Sequence, residues 1–318
     1  MAPRKPATVP AAPAIAICVC TMRREPALTT LLEALCRLDL EGLDPGRLRV
    51  VVLDNDGAGS AEPVVRRFGT SLPGELRYRV EPRRGYPFAR NAALREAGPV
   101  DFVAFIDDDE VPEPRWLAEL VRAQRSSGAA IVTGPVLPLL PPAAPGWARA
   151  GGFYERPRHR SGQRLHYART SNVLIAARVF QGRAEPFSVR YRHGGEDTHF
   201  FMRAHLEGHA IVWADDARVV ESFPDDRVRV GWLLRRAHRR GYVLSQCLRE
   251  FAWSPARILK RLAHAAARLA YGAALLPGTL LRGPVPAVKG LREIAFGLGL
   301  LHGLLGNRRM VGRRFRRR

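Results

Sequence analysis

The apolar run Phe102-Val103-Ala104-Phe105-Ile106 ends in three consecutive carboxylates, Asp107, Asp108 and Asp109, with Glu110 directly behind them. A short apolar run of this β-branched and aromatic character reads as a buried strand, and the acids as its C-terminal lip. Adjacent carboxylates repel one another unless a cation sits among them. A strand that ends this way must therefore open onto something that brings positive charge. Hard oxygen donors suit Mg²⁺ or Mn²⁺ carrying a phosphorylated ligand. The competing reading is an acidic turn that caps the next helix, and the surrounding sequence has to decide between the two.

Similar runs recur along the chain. Ala14–Cys20 (AIAICVC) and Leu48–Leu53 (LRVVVL) read as buried strands, and Leu76–Val80 as a third. Between them lie helical patterns: Pro26–Leu40, with Leu28, Leu31, Leu32, Leu35 and Leu38 at helical spacing, Ala61–Phe68, and Pro87–Ala97 closed by Gly98-Pro99. The spacing predicts a further helix over Pro114–Ser126, with Trp116 facing inward, then a fifth strand over Ala129–Val136. Strands and helices alternating in this way imply βαβ units and a largely parallel sheet with both faces covered. Ligands of such sheets bind beyond the strand C-termini. Three polar clusters fall at predicted strand ends: Thr21–Arg24, Asp54–Asp56 and Asp107–Asp109.

Downstream the pattern weakens. Residues 137–163 are rich in Pro, Gly and Arg and read as a mobile loop region. Thr170–Ala177 reads as a strand. His193-Gly194-Gly195-Glu196-Asp197 leads into a helix over Asp197–Glu207, and residues 210–214 and 217–222 resemble short strands. The four cysteines, Cys18, Cys20, Cys36 and Cys247, have no spacing suited to zinc and read as reduced core residues.

Five segments in order, ICVCTMRR, VVLDNDG, RRGYPFARN, FIDDDE and GGEDTHF, make residues 14–250 resemble the bacterial family 2 glycosyltransferases of the GT-A fold, nucleotide-sugar enzymes that build surface polysaccharides. The resemblance implies a Rossmann-like α/β domain with a mostly parallel central sheet, and roles for its residues. Thr21, Arg24 and Asp54 or Asp56 would hold the nucleoside. Arg83 and Arg90 would face the diphosphate or the acid clusters, with Asn91 bracing the strand end. Asp107 and Asp108 would contact the nucleotide, and Asp109 would bind the metal, Mg²⁺ or Mn²⁺; Glu110 is either a helix N-terminal charge or a ligand. Asp197, with Glu196 second, would be the general base that deprotonates the acceptor hydroxyl in an inverting transfer. Asn172 stands where the family has a polar residue near the sugar. The Gln-x-x-Arg-Trp motif of the family's processive synthases is absent, which favours single addition. In its place GWLLRRAHRRGYVLSQ offers Arg235, Arg236, Arg239 and Arg240, or His238, to a diphosphate.

Charge divides the chain. The net charge is +21, yet the 90 residues from Arg229 onward hold 20 of the 51 Lys and Arg and only two acids, Glu250 and Glu293. We therefore read three parts: a disordered N-terminus (1–13), a catalytic domain (14–228) and a basic helical tail (229–318). The apolar stretches Leu262–Leu281 and Val285–Leu305 are interrupted by charged residues and suit helices that lie in a membrane interface. The seven arginines of residues 308–318 would favour an anionic leaflet. These features predict a peripheral protein at the cytoplasmic face of the inner membrane, placed next to a lipid-linked saccharide acceptor. The resemblance implies a nucleotide-sugar donor, read as a UDP-sugar because a carboxylate suits the imide and ribose hydroxyl donors of uridine. No nucleic-acid recognition motif accompanies the charge, so no nucleic acid is expected. The rival readings are a non-catalytic subunit of a polysaccharide-assembly complex and, less favoured, a nucleic-acid-binding protein.

Overall fold

The computed structural model describes residues 12–252 and 254–305. The expected disorder of residues 1–13 falls almost entirely outside that range, as does the arginine-rich stretch 308–318. In chain order the elements are β1 (Ile15–Thr21), α1 (Glu25–Cys36), β2 (Leu48–Asp54), α2 (Glu62–Arg67), β3 (Glu75–Val80), α3 (Tyr86–Ala97), β4 (Phe102–Asp107), β5 (Glu110–Pro112), α4 (Trp116–Ser127), β6 (Ile131–Thr133) and β7 (Val136–Leu139). There follow α5 (Gly146–Ala150), β8 (Arg164–Leu165), β9 (Val173–Ala176), α6 (Glu196–Leu206), β10 (Ile211–Trp213), β11 (Val219–Ser222), α7 (Val230–Phe251), α8 (Pro255–Leu275), α9 (Thr279–Arg282) and α10 (Pro284–Leu305).

Period-two alternation along the central strands assigns each residue to one of two cores. Ile15, Ile17 and Val19 of β1 face the same core as Val50 and Val52 of β2 and Ala104 and Ile106 of β4, whereas Ala16, Cys18, Val51, Leu53, Val103 and Phe105 face the other. Leucines 28, 31, 32 and 35 of α1 and Trp116, Leu117 and Leu120 of α4 cover the first face. The alanine stripe of α3 and Phe200 and Phe201 of α6 cover the second. The result is a three-layer sandwich around an eight-stranded sheet of order β3-β2-β1-β4-β9-β6-β10-β8. Strands β1 to β4 are mutually parallel, β9 is antiparallel to both β4 and β6, and β10 returns parallel to β6.

Register brings the polar lips together: Thr21 pairs with Asp54, and Cys20 with Asp107. The three strand-end clusters therefore lie at one edge of the sheet, as the βαβ pattern predicts.

The fifth predicted strand is two strands. Pro135 has no N–H to donate, and Gly134 packs so closely that an added Cβ would meet the Ala217 carbonyl oxygen at 2.3 Å. The chain steps out of the main sheet here, and β7 joins β11 and β5 in a second, three-stranded sheet. Glu110 was expected as a helix N-terminal charge or a ligand. It lies instead in β5, fully buried, and accepts a hydrogen bond from the Asp107 N–H (3.0 Å).

Helix α7 lies against the domain and runs alongside α10. Gly299 and Gly303 of α10 meet the His238 and Tyr242 carbonyls of α7 so closely that a side chain at either position would overlap them. Helices α8 and α10 form an antiparallel hairpin, with Gly272 and Gly290 in mutual contact. No helix among the described residues is long and apolar enough to cross a membrane.

Candidate active site

A cleft of about 370 Å³ opens at the C-terminal end of β4, between Asp107 of the acidic lip, the start of α6 and one face of α7. Of the residues singled out from the sequence, it brings together Arg90, Asp107, Glu196 and Asp197, together with Arg236, Arg239 and Arg240.

The lip is a knot of charge. Asp108 is buried; it accepts from the Thr21 hydroxyl (2.8 Å) and from Arg24 (2.8 Å). The same Arg24 nitrogen donates to Asp109 (2.9 Å), which also accepts from Arg227 (2.8 Å). Burial raises the Asp108 carboxyl above its ordinary range, with Arg24 opposing. Asp107 rises to about 6, through desolvation first and then the charges of Asp109 and Asp108, against the pull of Arg90. Behind them Glu110 is pushed well up by burial and then by Asp107, with Arg156 opposing.

Arg90 joins the lip to the other wall. It reaches from α3 to pair with the buried Glu196, stands 3.5 Å from Asp107, and lies over the Tyr86 ring. The next residue, Asn91, fixes a loop rather than a strand end: its side chain donates to the Phe187 carbonyl and accepts from the Phe187 N–H.

Asp197 is the second residue of α6. Its Oδ1 accepts from the Thr198 N–H (2.6 Å), and the carboxylate borders the cleft. Gly195 makes this helix start possible. Its φ is +102°, and an added Cβ would come within 2.5 Å of Val243 on α7. Gly195→Ala is expected to cost about 1–3 kcal/mol in chemical denaturation, from backbone strain and overpacking. Gly208→Ala is the control: φ there is +87° and nothing lies within 4 Å of the added Cβ. An equal cost at both positions would remove the packing argument.

Other expected residues lie elsewhere. Asp54 is turned fully inward, where its carboxylate accepts from the Asp56 N–H, the Ala61 N–H and the Tyr78 hydroxyl. It braces its own turn and presents no free oxygen to a ligand. Asp56 is tied to Arg23, and Arg83 to Glu81 with its guanidinium over Phe88. Asn172 is a buried hub in the left-handed region (φ 55°): it accepts from the Trp116 indole and donates to the Pro135 and Ala217 carbonyls, so it has no reach to a sugar.

The structure adds residues that the sequence did not single out. Arg156, from the segment read as a mobile loop, pairs with Glu221 and donates to Ser171. Arg169, Arg227 and Trp232 also line the cleft. Their signal in the sequence is weak, because Arg156 stands in a Pro- and Gly-rich stretch without periodicity and the others belong to no cluster that marks a site.

Among the described residues no group of three or more His, Cys, Asp or Glu side chains is placed to hold a metal ion. The described residues build no closed cage. It does present Asp107, 42 % exposed to the cleft, and Asp109 beside it. That donor set fits the open kind of site in which one or two carboxylates share Mg²⁺ or Mn²⁺ with ligand phosphates.

A mostly parallel α/β sheet whose acidic lip faces an acid-bearing helix start across one cleft defines a GT-A-like architecture. Two family models match the chain: Glycosyl transferase family 2 over residues 16–181 and Glycosyl transferase family group 2 over residues 102–302. The chain belongs to glycosyl transferase family 2. It is 36 % identical over 241 residues to the succinoglycan biosynthesis protein ExoM of Rhizobium meliloti, covering 75 % of this chain and 76 % of that one. It is 25 % identical over 170 residues to the glycosyltransferase AglE of Haloferax volcanii, 54 % of this chain and 55 % of that one. Among solved structures it resembles the mannosyltransferase PcManGT of Pyrobaculum calidifontis in complex with GDP-Man and Mn²⁺, with TM-score 0.61, 19 % identity and 92 % and 87 % of the two chains covered. It also resembles S. aureus TarS 1-349 in complex with UDP, with TM-score 0.52, 18 % identity and 92 % of each chain covered.

Proposed function

We propose that this protein is an inverting, metal-dependent glycosyltransferase that moves a sugar from a nucleotide diphosphate sugar, a UDP-sugar, to a lipid-linked saccharide in cell-surface polysaccharide synthesis. The observation that carries the reading is the cleft itself: Asp197 on one wall faces Asp107 on the other, and Arg90 ties the two walls together. Asp197 takes the proton from the acceptor hydroxyl. The oxygen then attacks the anomeric carbon as the bond to the diphosphate oxygen breaks on the opposite face, and the configuration inverts. Mg²⁺ or Mn²⁺, held by Asp109 with Asp107 beside it, would supply Lewis-acid stabilisation of the departing diphosphate. Arg24 and Arg227, paired with Asp109 in this structure, would offer their guanidinium groups to the same phosphates. Thr21, Asp108 and Asp56 remain the nucleotide-side residues.

A thermal-shift panel of nucleoside diphosphates with and without Mn²⁺ tests the donor. UDP with Mn²⁺ at about 100 times its Kd is expected to stabilise the protein by about 2.7 kcal/mol, and Asp109→Ala to abolish the metal-dependent part. Stabilisation by GDP or dTDP but not UDP would overturn the choice of base. No response to any nucleoside diphosphate would remove the donor reading altogether.

A peripheral site at the cytoplasmic face of the inner membrane is supported by the tip of the α8–α10 hairpin. Residues 269–288 contain one charged side chain, Arg282, and Leu280 and Leu281 are 90 % and 89 % exposed. An anionic leaflet suits such a tip followed by a basic terminus. Replacing both leucines by serine is expected to weaken binding to anionic phospholipid vesicles by about tenfold or more, since each buried leucine contributes about 1.5–3 kcal/mol. Unchanged sedimentation with vesicles would exclude this tip as the contact.

A further inference from the structure

The guanidinium groups in and beside the cleft fall into two sets, with the exposed Arg240, which lies over the Phe296 ring, apart from both. Toward the β4 lip each has a carboxylate: Arg24 and Arg227 on Asp109, Arg90 on Glu196, Arg156 on Glu221. Toward α6 and α7 the pattern reverses. Arg169, Arg236 and Arg239 line the same cavity, all half-buried, and none has a carboxylate within ion-pair distance among the described residues. Arg236 lies over the Trp232 ring (4.9 Å), and Arg239 passes beside Gly194. Burial first, then the charges of Arg156, Arg236 and Arg240, together lower the proton affinity of Arg169 to about 9, with Asp197 opposing. Burial likewise lowers Arg236, to about 10, with Arg156 and Arg239 adding to it.

Like charges half out of water without counter-ions are unfavourable, and a bound polyanion relieves both the repulsion and the desolvation. Guanidinium forks match phosphate oxygens two at a time. The cations of the first set already stand where a donor diphosphate would lie, beside Asp107 and Asp109. The second set stands on the side of Asp197, whose charge Arg169 feels. In an inverting displacement the acceptor approaches on the face opposite the leaving diphosphate, so the cations beside the base address the acceptor.

We propose that Arg169, Arg236 and Arg239 form a second anion site, separate from the donor diphosphate site, which binds a phosphate or diphosphate group carried by the acceptor near the hydroxyl that is glycosylated. The proposal rests on the glycosyltransferase reading for the word acceptor, but not for the existence of the site.

The test uses the full chain with inorganic pyrophosphate as probe in excess EDTA, which removes any metal-dependent binding at the lip. Calorimetry is expected to show metal-free pyrophosphate binding that Arg169→Gln and Arg236→Gln each weaken by about tenfold or more. UDP with Mn²⁺ should bind Arg169→Gln as it binds the parent protein, and saturating UDP should leave the pyrophosphate site open. Arg169→Lys keeps the charge without the fork and should lie between parent and Gln variant, which holds the test if Arg169→Gln fails to fold. Absence of metal-free binding overturns the site. Full displacement of pyrophosphate by UDP, or a matching loss of UDP affinity in Arg169→Gln, assigns these arginines to the donor and overturns the acceptor claim. Metal-free binding lost in Arg169→Gln, with no nucleoside diphosphate bound at all, upholds the anion site while the donor reading fails.

Discussion

Asp197→Asn is expected to lower sugar transfer by about 10²–10⁴-fold, the range that a positioned general base supplies, with nucleotide diphosphate affinity changed less than about twofold. The substitution separates two roles that this position could hold. As the second residue of α6, Asp197 accepts from the Thr198 N–H through Oδ1 and places negative charge at the helix N-terminus. An asparagine carbonyl accepts the same bond, so the local hydrogen bond survives and stability changes little. The amide cannot take a proton from a hydroxyl, so base catalysis does not survive. Steady-state rates with a fixed donor, alongside the melting temperature, distinguish the outcomes. A variant that transfers sugar at the parent rate removes the base role. One that loses activity and melting temperature together shows that the acid mainly supports the helix start. Glu196 offers the contrast: it is buried and held by Arg90, and one of its oxygens has no hydrogen-bond partner. Glu196→Gln should therefore register chiefly in stability.

Much of this site was legible because it is local. The continuous apolar runs of β1, β2 and β4, each closed by polar residues, specify strands buried on both faces, and the parallel topology places their ends at one edge. The structure completes this with a register that the runs alone do not set, pairing Thr21 with Asp54 and Cys20 with Asp107. Gly194 and Gly195 were legible as a place where the backbone folds tightly, and the structure has Gly195 at the start of α6 with φ +102°. What was not legible depends on partners distant in the chain. Asp54 looks like any acid at a strand end, and only the Tyr78 hydroxyl and the Ala61 N–H turn it inward. Asn172 owes its structural role to Trp116, 56 residues away. Arg227 reaches Asp109 across 118 residues, a contact that no periodicity records. The boundary drawn at residue 229 followed charge, whereas packing ties α7 to the cleft: it supplies Trp232, Arg236 and Arg239 to the cavity and Val243 to the back of Gly195.

The largest stability effect is expected at Arg90. Its side chain is 9 % exposed and that of its partner Glu196 is 3 % exposed, so the pair lies out of water. Arg90→Met would fill much of the same volume but leave a buried carboxylate without its counter-ion. Removing one partner of a buried pair costs about 3–5 kcal/mol, largely as the penalty on the charge left behind. That origin is testable. If the uncompensated Glu196 charge is what destabilises Arg90→Met, then adding Glu196→Gln should recover part of the loss, with a coupling of about 0.5–3 kcal/mol in a double-mutant cycle by urea denaturation. Strictly additive losses would place the cost in packing against Tyr86 instead. If Arg90→Met alone does not fold, the double variant measured against Glu196→Gln still decides between the two. Activity should not return with stability. The neutral pair no longer joins the β4 lip to α6, so Asp107 and Asp197 lose the strut that sets their separation across the cleft.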